Sequence, residues 1–374
     1  MKTRGAIVQN VPGTYEVVEM ELDMPRTGEI TVKMVASGLC LSDEHLTSGD
    51  LPPGTLPMCG GHEGAGIVVE VGPNTPGWKK GDHVVLSCLP GCGRCRYCAT
   101  GHQNLCVVTE NFMLGSRFDD TTSYRLSYKG KPVGQWCGIG TFCEYATVSV
   151  LSAVKVPDAI PLDKACLIGC GVNTGWGATV NSAEVKPGQT VIVMGCGGVG
   201  SFAVQGAAHA GALNIIAVDP VKSKRDYAMT VGATHGCASM EEATELAKQL
   251  TDGHGADSTA ITLGTFKPDH LKVALDSVGK NGIVVCTALG KSTDVDFKLS
   301  IFDLTLKQKR IQGSMFGAVS PSWDILKMVN MYLGGRLKLD EAISQTYTLD
   351  EVNQGYADLK SGKNIRGAIL YDQT

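Results

Sequence analysis

The chain has 374 residues, enough for two domains with separate hydrophobic cores. Its formal net charge of −4 argues against a nucleic acid or an anionic membrane as a partner. No stretch approaches the ~18 consecutive apolar residues of a membrane span, and the basic first residues lead into a polar segment without the apolar core of a secretion signal. We therefore expect a cytoplasmic protein whose fourteen cysteines serve as metal ligands or core residues instead of disulfides.

The residues up to about 170 are predicted to form a compact β-rich or barrel-like domain. Short β-branched runs alternate there with turns such as Gly72-Pro73-Asn74 and Lys80-Gly81-Asp82. The clearest predicted strands are Ile30–Val35, Gly66–Val71 and His83–Ser87. The segment Phe112–Gly138 has few periodic apolar positions, so we expect an extended excursion beside the cysteine-rich loop.

After Pro187-Gly188 the pattern changes to alternating strands and helices. Apolar strands are predicted at Thr190–Met194, Ile215–Val218 and Ile283–Cys286, with helices ending near Ala210 and spanning Ala243–Leu250. This alternation indicates a parallel, doubly wound sheet, so the predicted fold class is α/β with a β-rich first part. From about residue 321 the chain returns to mixed helix and strand and ends in the apolar run Ile365–Leu370.

The turn after the first of these strands carries a dinucleotide-binding pattern, with Gly195, Gly197, Gly198, Val199 and Gly200 in G-x-G-G-x-G order. The pattern is weak alone, but here it follows a buried strand, opens a helix and precedes an acid, Asp219, at the end of the next strand. Its glycines would let the backbone approach a pyrophosphate, and the carboxylate would bind the ribose hydroxyls and repel a 2′-phosphate. We therefore predict NAD over NADP; the alternative is a glycine-rich turn without a ligand.

Two groups of residues have the spacing of metal ligands. Four thiols in a short loop could close a tetrahedron around a structural zinc: Cys92, Cys95, Cys98 and Cys106. A second set, Cys40, His62 and Cys170, offers two thiolates and an imidazole and leaves a fourth position for water or substrate. Zinc with an open position beside a nicotinamide can polarise an alcohol and lower the pKa of its hydroxyl. Taken singly, each of these three residues could instead be a packed core residue.

The order of these motifs resembles the zinc-dependent medium-chain alcohol dehydrogenases over essentially the whole chain: GHE at 61–63, the cysteine run, GCGGVG at 195–200 and GKNIRGAIL at 362–370. Two cysteines and a histidine are the ligand set of that family's catalytic zinc. The resemblance implies a GroES-like catalytic domain from residues 1–172 and 321–374 and a Rossmann domain at 173–320. It implies NAD and two zinc ions per chain, one catalytic and one structural. The long segment between Cys106 and Thr141 resembles the animal and plant branch, so we expect a homodimer or a higher homo-oligomer.

The resemblance also implies roles for single residues of the reaction centre. Ser42 would take the alcohol proton and His45 would end a relay through the cofactor ribose to solvent. Asp43 would hold a ligand imidazole, and Glu63 would lie behind the zinc. The alternatives without a catalytic role are that Ser42 caps a turn and that His45 is a surface histidine.

Further roles concern the cofactor and the substrate. Thr174 and Val199 would press on the nicotinamide, Asp219 and Lys224 would hold the adenosine ribose, and Arg366 would meet the pyrophosphate unless it is an ordinary solvated charge. The expected lining of the substrate channel is Cys88, Leu105 and Trp136.

The expected reaction is hydride transfer from a small alcohol to NAD, reversible with the aldehyde or ketone, and primary, aromatic or terpenoid-type alcohols are the expected substrates.

Two residues depart from the family pattern. Leu41 stands where many relatives place an Arg or His against the pyrophosphate. Glu110 replaces the basic residue of the glutathione-dependent formaldehyde branch, which argues against the alternative of a thiol-adduct formaldehyde dehydrogenase. A non-catalytic binding protein is the remaining alternative. A closer resemblance is to actinobacterial members that retain NAD and are assayed with an artificial electron acceptor.

Overall fold

The computed structural model describes residues 1–51 and 54–373. The chain divides into two compact units, Met1–Cys170 together with the residues from Ser320 onward, and Gly171–Val319. These limits lie two residues and one residue from the expected domain boundaries at 172/173 and 320/321. Among the described residues, no helix has both the length and the apolar character needed to cross a membrane.

The N-terminal part of the first unit is mainly β-structure. Its strands are β1 (Lys2–Val8), β2 (Glu16–Leu22), β3 (Glu29–Leu39), β4 (Met58–Cys59), β5 (Gly64–Val71), β6 (His83–Leu86), β7 (Leu126–Tyr128), β8 (Lys131–Gln135), β9 (Tyr145–Ser149) and β10 (Ala153–Lys155). Its helices are α1 (Leu41–Ser48), α2 (Arg96–Ala99) and α3 (Leu162–Ala165). Strands β1, β2, β7, β8 and β4 close a barrel, and β10, β6, β5 and β3 are neighbours in a second sheet, where β9 also pairs with β3.

The expectation of an extended excursion over Phe112–Gly138 was wrong. Strands β7 and β8 lie within this segment and complete the barrel by pairing with β2 and β4. They have three and five residues, too few for a period-2 pattern to stand out in the sequence. By contrast β2 buries alternate residues and exposes the glutamates between them, which is the pattern of a strand with one face on a core.

The second unit is a parallel sheet covered by helices. Its strands are β11 (Thr190–Met194), β12 (Asn214–Val218), β13 (His235–Cys237), β14 (Ala256–Ile261), β15 (Val278–Cys286) and β16 (Arg310–Gly313). Its helices are α4 (Gly171–Gly177), α5 (Gly198–His209), α6 (Lys222–Thr230), α7 (Met240–Leu250), α8 (Pro268–Ser277) and α9 (Ile301–Leu306). The strand order is β13-β12-β11-β14-β15-β16, so the chain runs outward from β11 to one edge and then to the other. This is the doubly wound order of a Rossmann fold, and all five residues of β11 are buried because helices cover both faces of the sheet.

The C-terminal segment returns to the first unit. It forms α10 (Pro321–Leu333), β17 (Ile343–Tyr347), α11 (Val352–Lys360) and β18 (Arg366–Leu370). Strand β18 pairs antiparallel with β3, with Gly367 opposite Leu39, and β17 extends the sheet beyond it. The last strand therefore lies at the end of β3 from which α1 begins.

Candidate metal centre and nucleotide-binding turn

Four buried side chains of the first unit converge at the end of the β3–β5 pair. The ligand atoms of Cys40, His62, Glu63 and Cys170 all lie within 4.8 Å of one another. Cys40 follows β3, the pair His62–Glu63 precedes β5, and Cys170 follows the turn after α3. Because β3 and β5 are antiparallel neighbours, with Ser37 opposite Gly64, the end of one strand meets the start of the other. The fold thus collects residues more than a hundred positions apart into one cluster.

The hydrogen bonds of His62 leave one ring nitrogen directed at the cluster. Its Nδ1 lies 3.0 Å from Asp43 Oδ1, which also accepts the Gly61 N–H at 3.1 Å, while the Tyr356 hydroxyl donates to Asp43 Oδ2 at 2.9 Å. The other ring nitrogen, Nε2, is buried without a hydrogen-bond partner among the described residues. Leaving such an atom unsatisfied costs about 1–3 kcal/mol. An unpaired imidazole nitrogen beside two sulfurs therefore fits a metal ion.

The pKa shifts of the cluster residues also fit a metal ion. Contact with the Cys170 thiol, followed by the positive charge of His62, holds the pKa of Cys40 well below its usual range despite burial. Burial, the largest single influence, disfavours the imidazolium of His62, but the carboxylate of Asp43 and the sulfur of Cys40 together outweigh it and raise the pKa of His62 well above the ordinary value. Contacts with the thiols of Cys40 and Cys88 raise the pKa of Cys170. Metal ligands bind deprotonated, so a divalent cation here would take the place of the proton of His62 and Cys170 and would be matched by the low pKa of Cys40.

Behind the cluster lies a buried ion pair. The Arg366 guanidinium, 2% exposed, donates to the Glu63 carboxylate, and both groups are enclosed by the first unit. Gly38 on β3 makes room for the pair, because a Cβ at that position would overlap the carboxylate and come within 3.1 Å of Arg366 Nη2. The alternative of a solvated C-terminal charge is therefore wrong for Arg366. Its contact with a pyrophosphate stays a prediction.

Helix α1 carries the two residues expected to handle the proton. Ser42 is half-buried with its Oγ 3.7 Å from Cys40 Sγ, and the helix N-cap is Cys40 without a side-chain cap, so Ser42 does not cap this helix. His45 lies three residues on, along the same helix face. Only 4% of it is exposed, and its Nδ1 lies 3.2 Å from Asp50 Oδ2. The surface-histidine alternative is therefore wrong.

Two of the three expected channel residues are buried. Cys88 is 6% exposed, its N–H donates to the Gly169 carbonyl at 3.4 Å, and its thiol contacts Cys170. Trp136 is 2% exposed with an indole N–H that has no partner among the described residues. Leu105, in contrast, is 44% exposed on the lobe of the four clustered cysteines. The channel role of all three stays a prediction.

The second cysteine group comes from one short stretch of the chain, Cys92–Cys106, and its four thiols are close together. Its sulfurs lie within 4.8 Å of one another, with Cys92–Cys98 and Cys95–Cys106 separations of 3.9 Å. Backbone N–H groups near its sulfur, first that of Cys98, lower the pKa of Cys95 to about 6. Burial, then the neighbouring thiol of Cys95, raises the pKa of Cys98 to about 12. Four thiols in this arrangement can surround one ion and leave no open position.

Three glycines of the turn between β11 and α5 have different structural roles. Gly195 has a φ of +98°, which an ordinary residue rarely adopts. A Cβ on Gly197 would meet nothing within 4 Å, so the turn is open there to a ligand. A Cβ on Gly200 would overlap the Gly195 carbonyl, so α5 packs closely on the turn. These are the roles of the three glycines in a dinucleotide-binding turn, and the arrangement fits a dinucleotide cofactor.

Asp219 is held at the end of β12 by the same turn. Its Oδ2 accepts the Cys196 N–H at 3.0 Å and its Oδ1 accepts the Val221 N–H at 2.9 Å. The carboxylate is thus fixed before any cofactor arrives. Four further expected cofactor residues lie in the same unit: Thr174 on α4, Gly198 and Val199 on α5 and Lys224 on α6, of which Thr174, Val199 and Lys224 are half-buried.

Two residues of the site, Tyr356 and Asp50, were not predicted from the sequence. Tyr356 contacts Asp43 from 313 positions away, and no local pattern predicts such a contact. Asp50 follows the helix end next to His45, and its relation to the imidazole depends on how the chain turns at Gly49. The sequence signal that could have predicted the Asp50–His45 contact is a carboxylate five residues after a candidate proton-relay histidine.

A GroES-like barrel with a buried two-cysteine, one-histidine cluster and a Rossmann unit with a dinucleotide-binding turn define a zinc-type dehydrogenase. The model of the alcohol dehydrogenase GroES-like domain matches residues 26–158, and that of the zinc-binding dehydrogenases matches residues 198–331. The chain belongs to the zinc-dependent medium-chain alcohol dehydrogenase family.

Three relatives illustrate its place there. The NDMA-dependent alcohol dehydrogenase of Amycolatopsis methanolica is 46% identical over 371 residues, which cover 99% of both chains. The S-(hydroxymethyl)glutathione dehydrogenase of Paracoccus denitrificans is 34% identical over 381 residues, covering 99% of this chain and 100% of that protein. The benzyl alcohol dehydrogenase structure from Acinetobacter calcoaceticus superposes with a TM-score of 0.91 at 29% identity and covers 100% of both chains. The predicted family, including its actinobacterial type, and the predicted fold class are confirmed.

Proposed function

We propose that the protein is an NAD-dependent zinc alcohol dehydrogenase that transfers a hydride from an alcohol to NAD and, in reverse, reduces an aldehyde or ketone. The observation that carries the proposal is the cluster of Cys40, His62 and Cys170 with an unpaired imidazole nitrogen, in a chain that also has an open dinucleotide-binding turn. When bound, zinc would supply a Lewis acid for the alcohol oxygen and NAD would accept the hydride. The four-cysteine lobe would hold a second, structural zinc.

The residues of this chain supply binding and proton handling. Asp43 accepts from His62 Nδ1 and so keeps the Nε2 lone pair available to a metal. The half-buried Ser42 hydroxyl would take the alcohol proton, and His45 would hold it next. The buried pair of Glu63 and Arg366 would balance charge behind the ligands.

We propose small alcohols with an apolar, including aromatic, substituent as substrates. The buried side chains of Cys88 and Trp136 support this, and one relative acts on benzyl alcohol by its name. A thiol-adduct formaldehyde dehydrogenase is the competing reading, because a 34% identical relative is an S-(hydroxymethyl)glutathione dehydrogenase. Glu110 opposes it, since an acid repels the carboxylates of glutathione.

The name of the 46% identical Amycolatopsis relative supports a further point about the cofactor. We propose that NAD stays bound through turnover and is reoxidised there by an artificial acceptor such as NDMA. Denaturing the purified protein should release close to one NAD per chain. A preparation that is free of NAD yet fully active on added acceptor would contradict retention.

We also propose a homo-oligomer, supported by an exposed edge strand of the second unit and by exposed apolar side chains on the preceding helix. Strand β16 is the edge strand of its sheet and all four of its residues are exposed. Beside it in the chain, α9 exposes Ile301, Phe302 and Leu306 at 67, 76 and 65%. Unpaired strand edges and contiguous apolar surface are where a second copy can pair. Light scattering should show a dimer or larger assembly, and F302E should shift it toward monomer; a monomeric wild type would contradict the proposal.

The proposed cytoplasmic location rests on the cysteines. All fourteen are free thiols in the structure, as expected where the compartment keeps thiols reduced.

The function is tested with a panel of alcohols, read with NAD or with an artificial acceptor, on protein whose zinc content per chain has been measured. S42A should lose most turnover and keep both zinc ions. S223A, at an exposed serine of α6, is the matched control and should behave as wild type. Zinc-loaded wild type without alcohol oxidation by either acceptor would refute the proposal, and near-normal turnover of S42A would remove Ser42 from the proton path.

A further inference from the structure

Helix α1 ends in a turn that brings a carboxylate back against the helix. Gly49 is left-handed, with a φ of +82°, and a Cβ there would come within 2.8 Å of Val11 Cγ1, so the turn requires glycine. The Leu51 N–H then donates to the His45 carbonyl at 3.2 Å. This reversal places Asp50 Oδ2 3.2 Å from His45 Nδ1.

The two partners differ in their access to solvent. The side chain of His45 is 5% exposed, whereas that of Asp50 is 21% exposed. A proton that reaches the His45 ring is therefore still inside the protein, and the Asp50 carboxylate beside it reaches the solvent.

The other charged or titratable groups on or against α1 have their own partners. Asp43 binds His62 and the Tyr356 hydroxyl from α11. Glu44 pairs with Lys360, also from α11, at 2.9 Å. The helix itself does not explain Asp50, because the C-terminal end of a helix favours cations and disfavours carboxylates. Asp50 nevertheless lies at this helix end with its Oδ2 3.2 Å from His45 Nδ1.

We propose that Asp50 is a positioning residue, which orients His45 and stabilises its protonated ring at the solvent-facing end of the proton path. The inference rests on the proposed function. Oxidation of one alcohol releases a hydride, which leaves on NAD, and one proton. That proton protonates the His45 ring, the Asp50 carboxylate stabilises the imidazolium, and the proton then passes to water at the exposed carboxylate.

The test compares D50N with E44Q, an isosteric change of another carboxylate on the same helix. D50N should keep zinc content and melting temperature but lose about tenfold in kcat, the scale of one charge-assisted hydrogen bond, with little change in KM. Its solvent isotope effect should rise, added formate should restore the rate in proportion to its concentration, and D50E should recover most of the activity. E44Q should match wild type in every measurement.

Three results would separate the alternatives. D50N with the kcat and isotope effect of wild type would overturn the role of Asp50. A slow D50N that has lost zinc or melts earlier, and that neither formate nor D50E restores, would also overturn it, because the effect would then be structural. Wild type without alcohol oxidation would refute the proposed function itself, and the inference would fall with it.

Discussion

Adding one methyl group at Gly197 would separate cofactor binding from folding. A Cβ at this position meets no atom of the protein within 4 Å, and its φ of −76° is one that ordinary residues adopt. G197A should therefore fold normally, and the stability of the cofactor-free protein should stay within about 1 kcal/mol of wild type or rise slightly. The open space, however, is where the pyrophosphate would approach the backbone.

The expected loss of affinity follows from the hydrogen bonds of that approach. A methyl group in the space would push the charged pyrophosphate away from at least one backbone N–H. A hydrogen bond to a charged group is worth about 1.5–3 kcal/mol, which corresponds to a dissociation constant for NAD raised about 10- to 150-fold.

The assay is calorimetric titration of NAD into protein from which the retained cofactor has first been removed, beside thermal unfolding of the same sample. G200A is the contrasting control, since its Cβ would overlap the Gly195 carbonyl and lie 2.9 Å from Thr262 Oγ1. It should lower the melting temperature by several degrees even without cofactor, as overpacking costs about 1–3 kcal/mol. If G197A bound NAD within twofold of wild type, the turn would not be the pyrophosphate site and the reasoning would be refuted.

Three further predictions address the other parts of the site. D219N should reduce the preference for NAD over NADP, measured as the ratio of the two dinucleotides released when the purified protein is denatured, because the fixed carboxylate expected near the ribose loses its charge; an unchanged ratio would show that another group sets the preference. C95S should lower the zinc content from two ions per chain to one and lower the melting temperature, whereas a stable but inactive protein would contradict a structural role. E63Q should leave the buried guanidinium of Arg366 without a counter-charge and cost about 3–5 kcal/mol in urea unfolding; a loss under about 1 kcal/mol would contradict the importance of the pair.

Sequence reasoning worked best where a signal is local. The strand Thr190–Met194, the glycines after it and the acid at Asp219 lie within one short stretch, and their predicted order is the observed one. The four-cysteine run is local as well, and its sulfurs do come together. Local spacing is sufficient in these cases because one turn or one strand–helix unit determines the geometry.

Reasoning from the sequence failed where short elements depend on distant partners. Strands β7 and β8 carry too few residues to show a period, and they exist because the barrel offers them β2 and β4. The burial of His45 and Arg366 likewise comes from neighbours that the local sequence does not name.

The amino-acid sequence alone determined the ligand types, the dinucleotide-binding turn and the α/β class, since each is written in residue chemistry and spacing over a few positions. Tertiary structure decided that Cys40, His62 and Cys170 share one cluster, that Glu63 neutralises Arg366, and that Asp50 faces His45. The reason is physical: chain reversals and strand pairing set distances between residues far apart in sequence, and burial decides which charges must find a partner.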